Sequence, residues 1–371
     1  MRLGEGRAHV PALDGVRGIA ILVVLVHNLS IFVGKGSIAD RLWTVVTEAG
    51  WIGVELFFVL SGFLITGILL DEDPAKGRAA NLKSFYIRRS LRIFPLYYAF
   101  LVVYFLIAPL VAPSLARPFA EVKWYWVYLS NWSCLWWGVL PGLGHVWSLA
   151  VEEQFYMVWP WLVGGLSRRF FLSICLSSLI VAFGARLGFW ALKIDDGWIY
   201  CSTATRMDAL AIGALLALGL RSEVWRDRIA KKLRPATIAT VIALLLLMVK
   251  THGMNRHNPL VQIVGYFLIA VASACLVAYA ALPSPPKLLA HPVLRFFGRY
   301  SYGIYIIHAP LKHLAFDHGK PTIEAHLDQH PMPTDVAFIV TLTVVTIGVA
   351  LVSWNVLEKP CLRLKERWAP R

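Results

Sequence analysis

Charge is scarce in this sequence: 16% of its 371 residues are Asp, Glu, Lys or Arg, while 58% are hydrophobic. Soluble domains carry about 25% charged residues, so an ordinary water-facing surface is excluded over most of the chain. Cysteine is scarce too. Cys134, Cys175, Cys201, Cys275 and Cys361 are scattered with no C-x-x-C pair, which argues against a zinc site or a disulfide framework. They read as packing residues, with Cys134 and Cys201 the one pair that could form an external bridge. No G-x-S-x-G elbow and no H-E-x-x-H occurs, so hydrolase and metalloprotease readings lose support. No internal repeat is visible, which weakens a transporter built on inverted repeats. The opening MRLGEGRAHVPALDG has no small-residue cleavage site after a short apolar core, so the first hydrophobic segment is expected to be retained as a span.

What the chain has is apolar blocks separated by polar loops, the pattern of a polytopic helical membrane protein. Ten helices are expected, at about 13–33, 51–70, 93–113, 146–166, 170–191, 203–220, 236–250, 260–282, 300–316 and 335–357, the sixth and seventh being short. With the N-terminus inside, the inner segments carry 24 Lys and Arg and the outer loops 8. That asymmetry predicts both termini cytoplasmic and an even number of spans. No loop is long enough to fold independently. The expected fold class is therefore all-α, a polytopic transmembrane bundle forming one domain over 1–371 with no appended soluble domain. The formal charge of +14 is expected to meet anionic lipid and metabolites rather than nucleic acid. The loop 114–145 holds Trp124, Trp126, Trp132, Trp136 and Trp137. Such residues anchor helices at headgroup depth, and can also stack on sugar faces.

The organising stretch is residues 13–33, LDGVRGIAILVVLVHNLSIFV. It is long enough to cross a bilayer, yet holds Asp14, Arg17 and His27. An ionisable group near mid-membrane costs about 2.5–3.5 kcal/mol on insertion scales, so these groups are candidates for function. Asp14 and Arg17 are three apart and can pair. His27 lies about 15 Å further along the helix. A neutral imidazole there, held by a carboxylate, could act as general base.

Further polar groups fall at similar depth. HVWSLAVEEQFYMVWPW places Glu152 and Glu153 two turns inside the fourth helix, pointing about 100° apart. GVELFFVLSGFLIT carries Glu55 and Ser61, the latter read as a packing group beside Gly62. The loop SFYIRRSLRIFPLYY gathers Arg88, Arg89 and Arg92, guanidinium groups suited to a phosphate clamp. Arg206 and Asp208 open the sixth helix. Tyr302, Tyr305 and His308 recur at successive turns of the ninth.

Seven of these motifs stand in order across residues 12–361: LDGVRGIAILVVLVH, GVELFFVLSGFLIT, FYIRRSLRIFPLYY, HVWSLAVEEQFYMVWP, RMDALAIGALL, SYGIYIIHAPL and LEKP. Together they resemble the acyltransferase-3 family of integral membrane O-acyltransferases. The resemblance implies ten or eleven transmembrane helices in a bacterial cytoplasmic membrane. It also implies transfer of an acyl group, often acetyl, from cytoplasmic acyl-CoA to a hydroxyl of a glycan, lipid-linked sugar or small molecule. Acyl-CoA would be a co-substrate, with no bound cofactor and no metal required. By the family pattern, Arg17 and His27 match the first-helix pair, Arg89 and Arg92 the R-x-x-R pair, and Glu153 the acidic position before Gln154-Phe155-Tyr156.

One departure matters. Members usually place ten residues between the first-helix arginine and histidine; here nine intervene. A separation of ten positions turns the two about 80° apart on a helix. Either the helix is distorted, or Arg17 and His27 do not face one cavity. The expected mechanism docks the nucleotide on Arg89 and Arg92, with Arg88 beside them. The pantetheine arm passes Asp14 and Arg17, and His27, oriented by a carboxylate such as Glu153, deprotonates the acceptor. Glu55, Glu152, Arg206, Asp208, Tyr305 and His308 are candidate acceptor or supporting groups. A variant routes the acyl group through Ser61 or a tyrosine. The rival class is a proton-coupled transporter or flippase of a lipid or glycoconjugate.

Overall fold

The computed structural model describes residues 10–31, 37–111, 115–165 and 167–369, and among them every regular element is helical. The helices are α1 (Pro11–Leu29), α2 (Ile38–Glu48), α3 (Ile52–Leu70), α4 (Arg78–Val102), α5 (Ala108–Val111), α6 (Phe119–Trp126), α7 (Ser130–Trp137) and α8 (Val146–Val163). They continue with α9 (Arg168–Ala191), α10 (Asp196–Cys201), α11 (Thr203–Leu220), α12 (Glu223–Lys250), α13 (Tyr266–Ala281), α14 (Pro292–Gln329), α15 (Pro331–Ser353) and α16 (Lys359–Trp368). The ten expected spans correspond to α1, α3, α4, α8, α9, α11, α12, α13, α14 and α15. Their expected ends at 33, 113 and 166 lie outside the described residues. Eight helical runs are long and apolar enough to cross a membrane. The remaining two spans, α8 and α14, are made less apolar by groups such as Glu152, Glu153 and Gln154 in the one and Arg299, His308 and Lys312 in the other.

The boundaries correct the sequence reading in one direction. The arginine-rich stretch expected as a loop is helical, within α4, and runs on through Pro95. The seventh span is not short: α12 has 28 residues and passes through Pro235. The sixth, α11, has 18. Likewise α14 contains Pro310 and Pro321. Proline in a helix interior costs about 3 kcal/mol. In lipid a broken helix would expose several unsatisfied backbone groups at several kcal/mol each, so the helix continues. The segment expected as a plain loop before 51 also forms a helix, α2, opened by a reciprocal Ser37–Asp40 capping box.

Polarity is inverted relative to a soluble fold. Ile238, Ile242, Leu245, Leu246 and Val249 on α12 are exposed, whereas Glu55, Arg186, Arg206, Asp208, His308 and Asp335 are at most 2% exposed. An apolar exterior and a polar interior suit a lipid solvent. Where no hydrophobic force drives helices together, close backbone contact does. A Cβ on Gly298 would stand 1.8 Å from the Asp14 carbonyl oxygen, and one on Gly18 2.0 Å from that of Leu294, so α1 and α14 touch backbone to backbone. Gly62 and Gly213 do the same for α3 and α11, each 2.0 Å from a carbonyl of the other helix. These contacts fix the frame on which the site is built.

The tryptophan-rich segment is not a loop but α6 and α7. Trp124 lies 5.2 Å from Trp136 and 6.0 Å from Trp137, centroid to centroid, and Trp136 and Trp137 are about half exposed. This is the arrangement of an interfacial aromatic belt.

Candidate active site

A file of adjoining cavities runs through the bundle. The first, about 500 Å³, is walled by Asp14, Arg17, Arg92, Arg295, Arg299, Glu358 and Leu362 among others. Asp14 near the start of α1 and Leu362 in α16 thus meet at one end of the bundle, here called the arginine end. A central cavity of about 100 Å³ shares Arg17, Arg92 and Tyr302 with it. A small chamber of about 30 Å³ holds His27 and shares Val54 and Tyr305 with the central cavity. It adjoins the largest, about 770 Å³, through Asn28, His145, Trp147, Tyr200 and Arg256. That is the histidine end. None of the five belt tryptophans lines these cavities.

At the arginine end, helical spacing sorts the three arginines of α4. Arg89 and Arg92, three apart, share a face and line the central cavity. Arg88 points elsewhere: it donates to the Ala369 carbonyl at the end of α16 and, at 3.3 Å, to Ser84 Oγ. Arg17 pairs with Asp14 at 3.3 Å. The Arg89 guanidinium stacks 3.9 Å from the centroid of Tyr156, and its Nε has no partner. Arg295 and Arg299, one turn apart in the first turns of α14, face the wide cavity beside Arg92 and were not singled out from sequence.

In the centre both adjacent acids line the cavity. Glu152 accepts from Ser61 Oγ at 2.5 Å, and Ser61 in turn accepts from Tyr156 at 2.9 Å. Ser61 therefore points its hydroxyl into the site, while its neighbour Gly62 makes the helix contact. Arg89 is the cation whose field reaches both Glu152 and Glu153. Tyr305 closes the chamber on the far side, its hydroxyl 2.5 Å from Ser148 Oγ and donating to the His145 carbonyl at 3.1 Å. Tyr302 donates to the Ile93 carbonyl at 2.7 Å, tying α14 to α4.

His27 is held differently from the expectation. Its Nδ1 lies 2.7 Å from the carbonyl oxygen of Thr47, in the last turn of α2, where carbonyls lack helical partners. Glu153 does not reach it: the acid lines the central cavity and His27 the chamber beyond. A carbonyl accepts only from an N–H, so Nδ1 carries the proton and Nε2 keeps its lone pair. Gly50 lets α2 and α3 approach this far, since a Cβ there would stand 2.6 Å from His27 Cβ. Helix α1 is regular throughout. The ten-position spacing is therefore not absorbed by distortion, and Arg17 and His27 serve different cavities.

Two more imidazoles lie close by: His145 lines the chamber, and His308 packs behind it against Asn28 and His145. His308 Nδ1 faces the carbonyls of Tyr305 (2.7 Å) and Ile304 (3.2 Å), which leaves Nε2 to accept from Asn28 at 2.9 Å. His145 lies 4.8 Å from it, ring to ring. Its Nε2 donates to the Ile306 carbonyl at 3.2 Å, and its Nδ1, though buried, has no partner. Burial, with His308 close by, lowers the His145 pKa well below the usual imidazole value, so the ring is neutral. Sequence reading passed over His145, although it opens the quoted motif HVWSLAVEEQ.

Glu55, Arg206 and Asp208 line none of these cavities. Arg206 is ion-paired with Glu55, donates to the Tyr200 carbonyl at 2.9 Å, and sits 4.0 Å from the Tyr266 ring centroid. Asp208 pairs with Arg186 at 2.8 Å. These charges bind α3, α9 and α11 together beside the site.

A profile of the acyltransferase-domain family matches residues 10–355. Similar proteins include the peptidoglycan O-acetyltransferase OatA of Listeria monocytogenes, 29% identical over 82% of this chain and 50% of its own length. YrhL of Bacillus subtilis, provisionally named a peptidoglycan O-acetyltransferase, is 31% identical over 95% of this chain and 55% of its own. A Staphylococcus aureus protein provisionally named an O-acetyltransferase is 28% identical over 95% and 57%. The chain spans about half the length of these relatives. No solved structure shows significant similarity. With the family profile matched from α1 into the segment that follows α15, this all-helical membrane chain belongs to the acyltransferase-3 family.

Proposed function

We propose that the chain transfers an acetyl group from acyl-CoA, bound at the arginine end, to a hydroxyl of a cell-wall glycan at the histidine end. The observation that carries this is the file of cavities, with a cluster of arginines at one end and a histidine of defined tautomer at the other. Arg92, Arg295 and Arg299 offer planar donors matched to the donor's phosphates. Positive charge concentrates in the segments expected to be cytoplasmic, where acyl-CoA is available. The acyl arm would pass Arg17 into the central cavity, whose small volume favours acetyl over a long chain. The acceptor enters the large cavity and presents its hydroxyl at the chamber.

The chemistry then needs one proton relay. His27 Nε2 takes the hydroxyl proton as the oxygen attacks the thioester carbonyl. The C–S bond breaks, the ester forms, and the proton passes on to the departing thiolate. Thr47 keeps Nδ1–H in place, so that Nε2 stays the basic nitrogen. The names of the relatives support acetyl as the group and a wall glycan as the acceptor. A bacterial cytoplasmic membrane is the matching location.

Titration calorimetry with acetyl-CoA tests the donor site. The wild-type protein is expected to bind saturably. Arg92→Gln/Arg299→Gln is expected to weaken binding about a hundredfold, since a hydrogen bond to a charged group contributes about 1.5–3 kcal/mol. Unchanged affinity in a folded double variant would remove the arginine end from the donor site.

A further inference from the structure

We infer that the acceptor carries an oxyanion, a carboxylate or a phosphate, which Arg256 and Lys312 hold in the large cavity at the histidine end. The inference rests on the glycan-acceptor reading and narrows it to anionic sugars. Two cationic side chains, Arg256 and Lys312, and three imidazoles, His145, His257 and His313, line this cavity, and no Asp or Glu does.

Three acids near it are already partnered, two of them by imidazoles of this wall. Asp196 is paired with the His257 imidazole, and Asp317 lies 3.2 Å from His313. Asp335 exerts a field on Lys312, but its oxygens accept from the Ile31 N–H (2.7 Å), the Trp43 indole (2.7 Å) and Ser30 Oγ (2.9 Å). Arg256 and Lys312 make no ion pair among the described residues. Lys312 Nζ donates to the Ser30 carbonyl at 2.7 Å, one of its three donors. Arg256 Nε donates to His257 Nε2 at 3.0 Å, and its guanidinium lies 4.7 Å from the Tyr200 ring centroid. Its fork also reaches the Tyr200 side chain, and the guanidinium lines the cavity, where a planar anion can meet its remaining N–H groups.

Arg256 and Lys312 are half-buried at the wall of this cavity, so an anion entering it would meet two partly desolvated cationic donors. The rings of Trp147 and Tyr200 also form part of this wall. Arg256 also lines the His27 chamber. The anion and the reacting hydroxyl therefore belong to one sugar or to immediate neighbours. This is a specificity device, separate from the base.

The test uses the full chain and three probes. One is the disaccharide of N-acetylglucosamine and N-acetylmuramic acid with its carboxylate free. The second is the same disaccharide with that carboxyl amidated. The third is a sugar phosphate. Calorimetric binding and kcat/KM for acetyl transfer are measured for each. The carboxylate or the phosphate is expected to be favoured over the amide about tenfold or more, the worth of a charge-assisted contact. Whichever is stronger identifies the oxyanion. Arg256→Gln is expected to bring that ratio close to one, and Arg256→Lys to restore part of it. Equal use of charged and neutral probes, no binding of any, or a fall in Arg256→Gln that leaves the ratio intact would overturn the inference. Transfer without charge preference would leave the acetyltransferase reading standing. Preferential anion binding without any transfer would keep this site and reject that reading.

Discussion

Replacing His27 with alanine is expected to lower kcat for acyl transfer by about two to four orders of magnitude, the usual contribution of a positioned general base. The substitution removes the imidazole while keeping the Cβ packed against Gly50, so the helix contact survives. Donor affinity, set by the arginine end, is expected to stay at the wild-type value. Rapid-quench kinetics with labelled acetyl-CoA would separate the two effects. Full kcat in folded His27→Ala would contradict the base assignment. Loss of activity in His145→Gln, with His27→Ala active, would move the role to the imidazole whose Nδ1 is unpartnered in the same chamber.

Replacing Glu55 with alanine is expected to act on folding rather than on chemistry. Arg206 is fully buried and Glu55 is its ion-pair partner. Removing one member of a buried pair costs about 3–5 kcal/mol, because the other charge is left uncompensated. Thermal unfolding in detergent should show a large drop in midpoint and a low yield of monodisperse protein. Replacing both residues, as Glu55→Leu/Arg206→Met, should recover most of the loss, since an apolar pair of similar size needs no partner. Normal stability in Glu55→Ala with transfer abolished would place Glu55 in the reaction instead.

The bundle was legible because lipid imposes a coarse rule. Spans must be apolar for about 20 residues, and each of the ten expected segments is a helix. The boundaries were not legible where prolines and charges coincide. In water Pro95, Pro235 and Pro310 would end helices; here Arg78–Val102, Glu223–Lys250 and Pro292–Gln329 run through them. The site was legible in part. The i,i+3 spacing of Arg89 and Arg92 placed them on one face, but Arg88, expected beside them in the clamp, turns away to Ser84 and Ala369. The ten-position gap from Arg17 to His27 posed the choice that regular α1 resolves in favour of two cavities.

Other parts depend on contacts between distant segments that no local pattern carries. Thr47 reaches His27 from a helix that reads as a polar loop. Arg295 and Arg299 read as ordinary positive-inside charge until α14 folds beside α4. Arg256 lies in a short connection between α12 and α13, and only the packing around Tyr200 brings it to the chamber. Arg206 and Asp208 carried the same intramembrane signal as the cavity residues, because a buried charge advertises itself whether it binds substrate or another helix.

The central claim is that donor and acceptor reach one site from opposite ends of the bundle. Sealed proteoliposomes test it directly, with the muramic-acid disaccharide trapped inside and radiolabelled acetyl-CoA added only outside. In vesicles whose arginine end faces outward, label is expected to accumulate as ester on the trapped disaccharide, and His27→Ala should prevent it. Label appearing only when donor and acceptor are placed on the same side of the membrane would contradict the account.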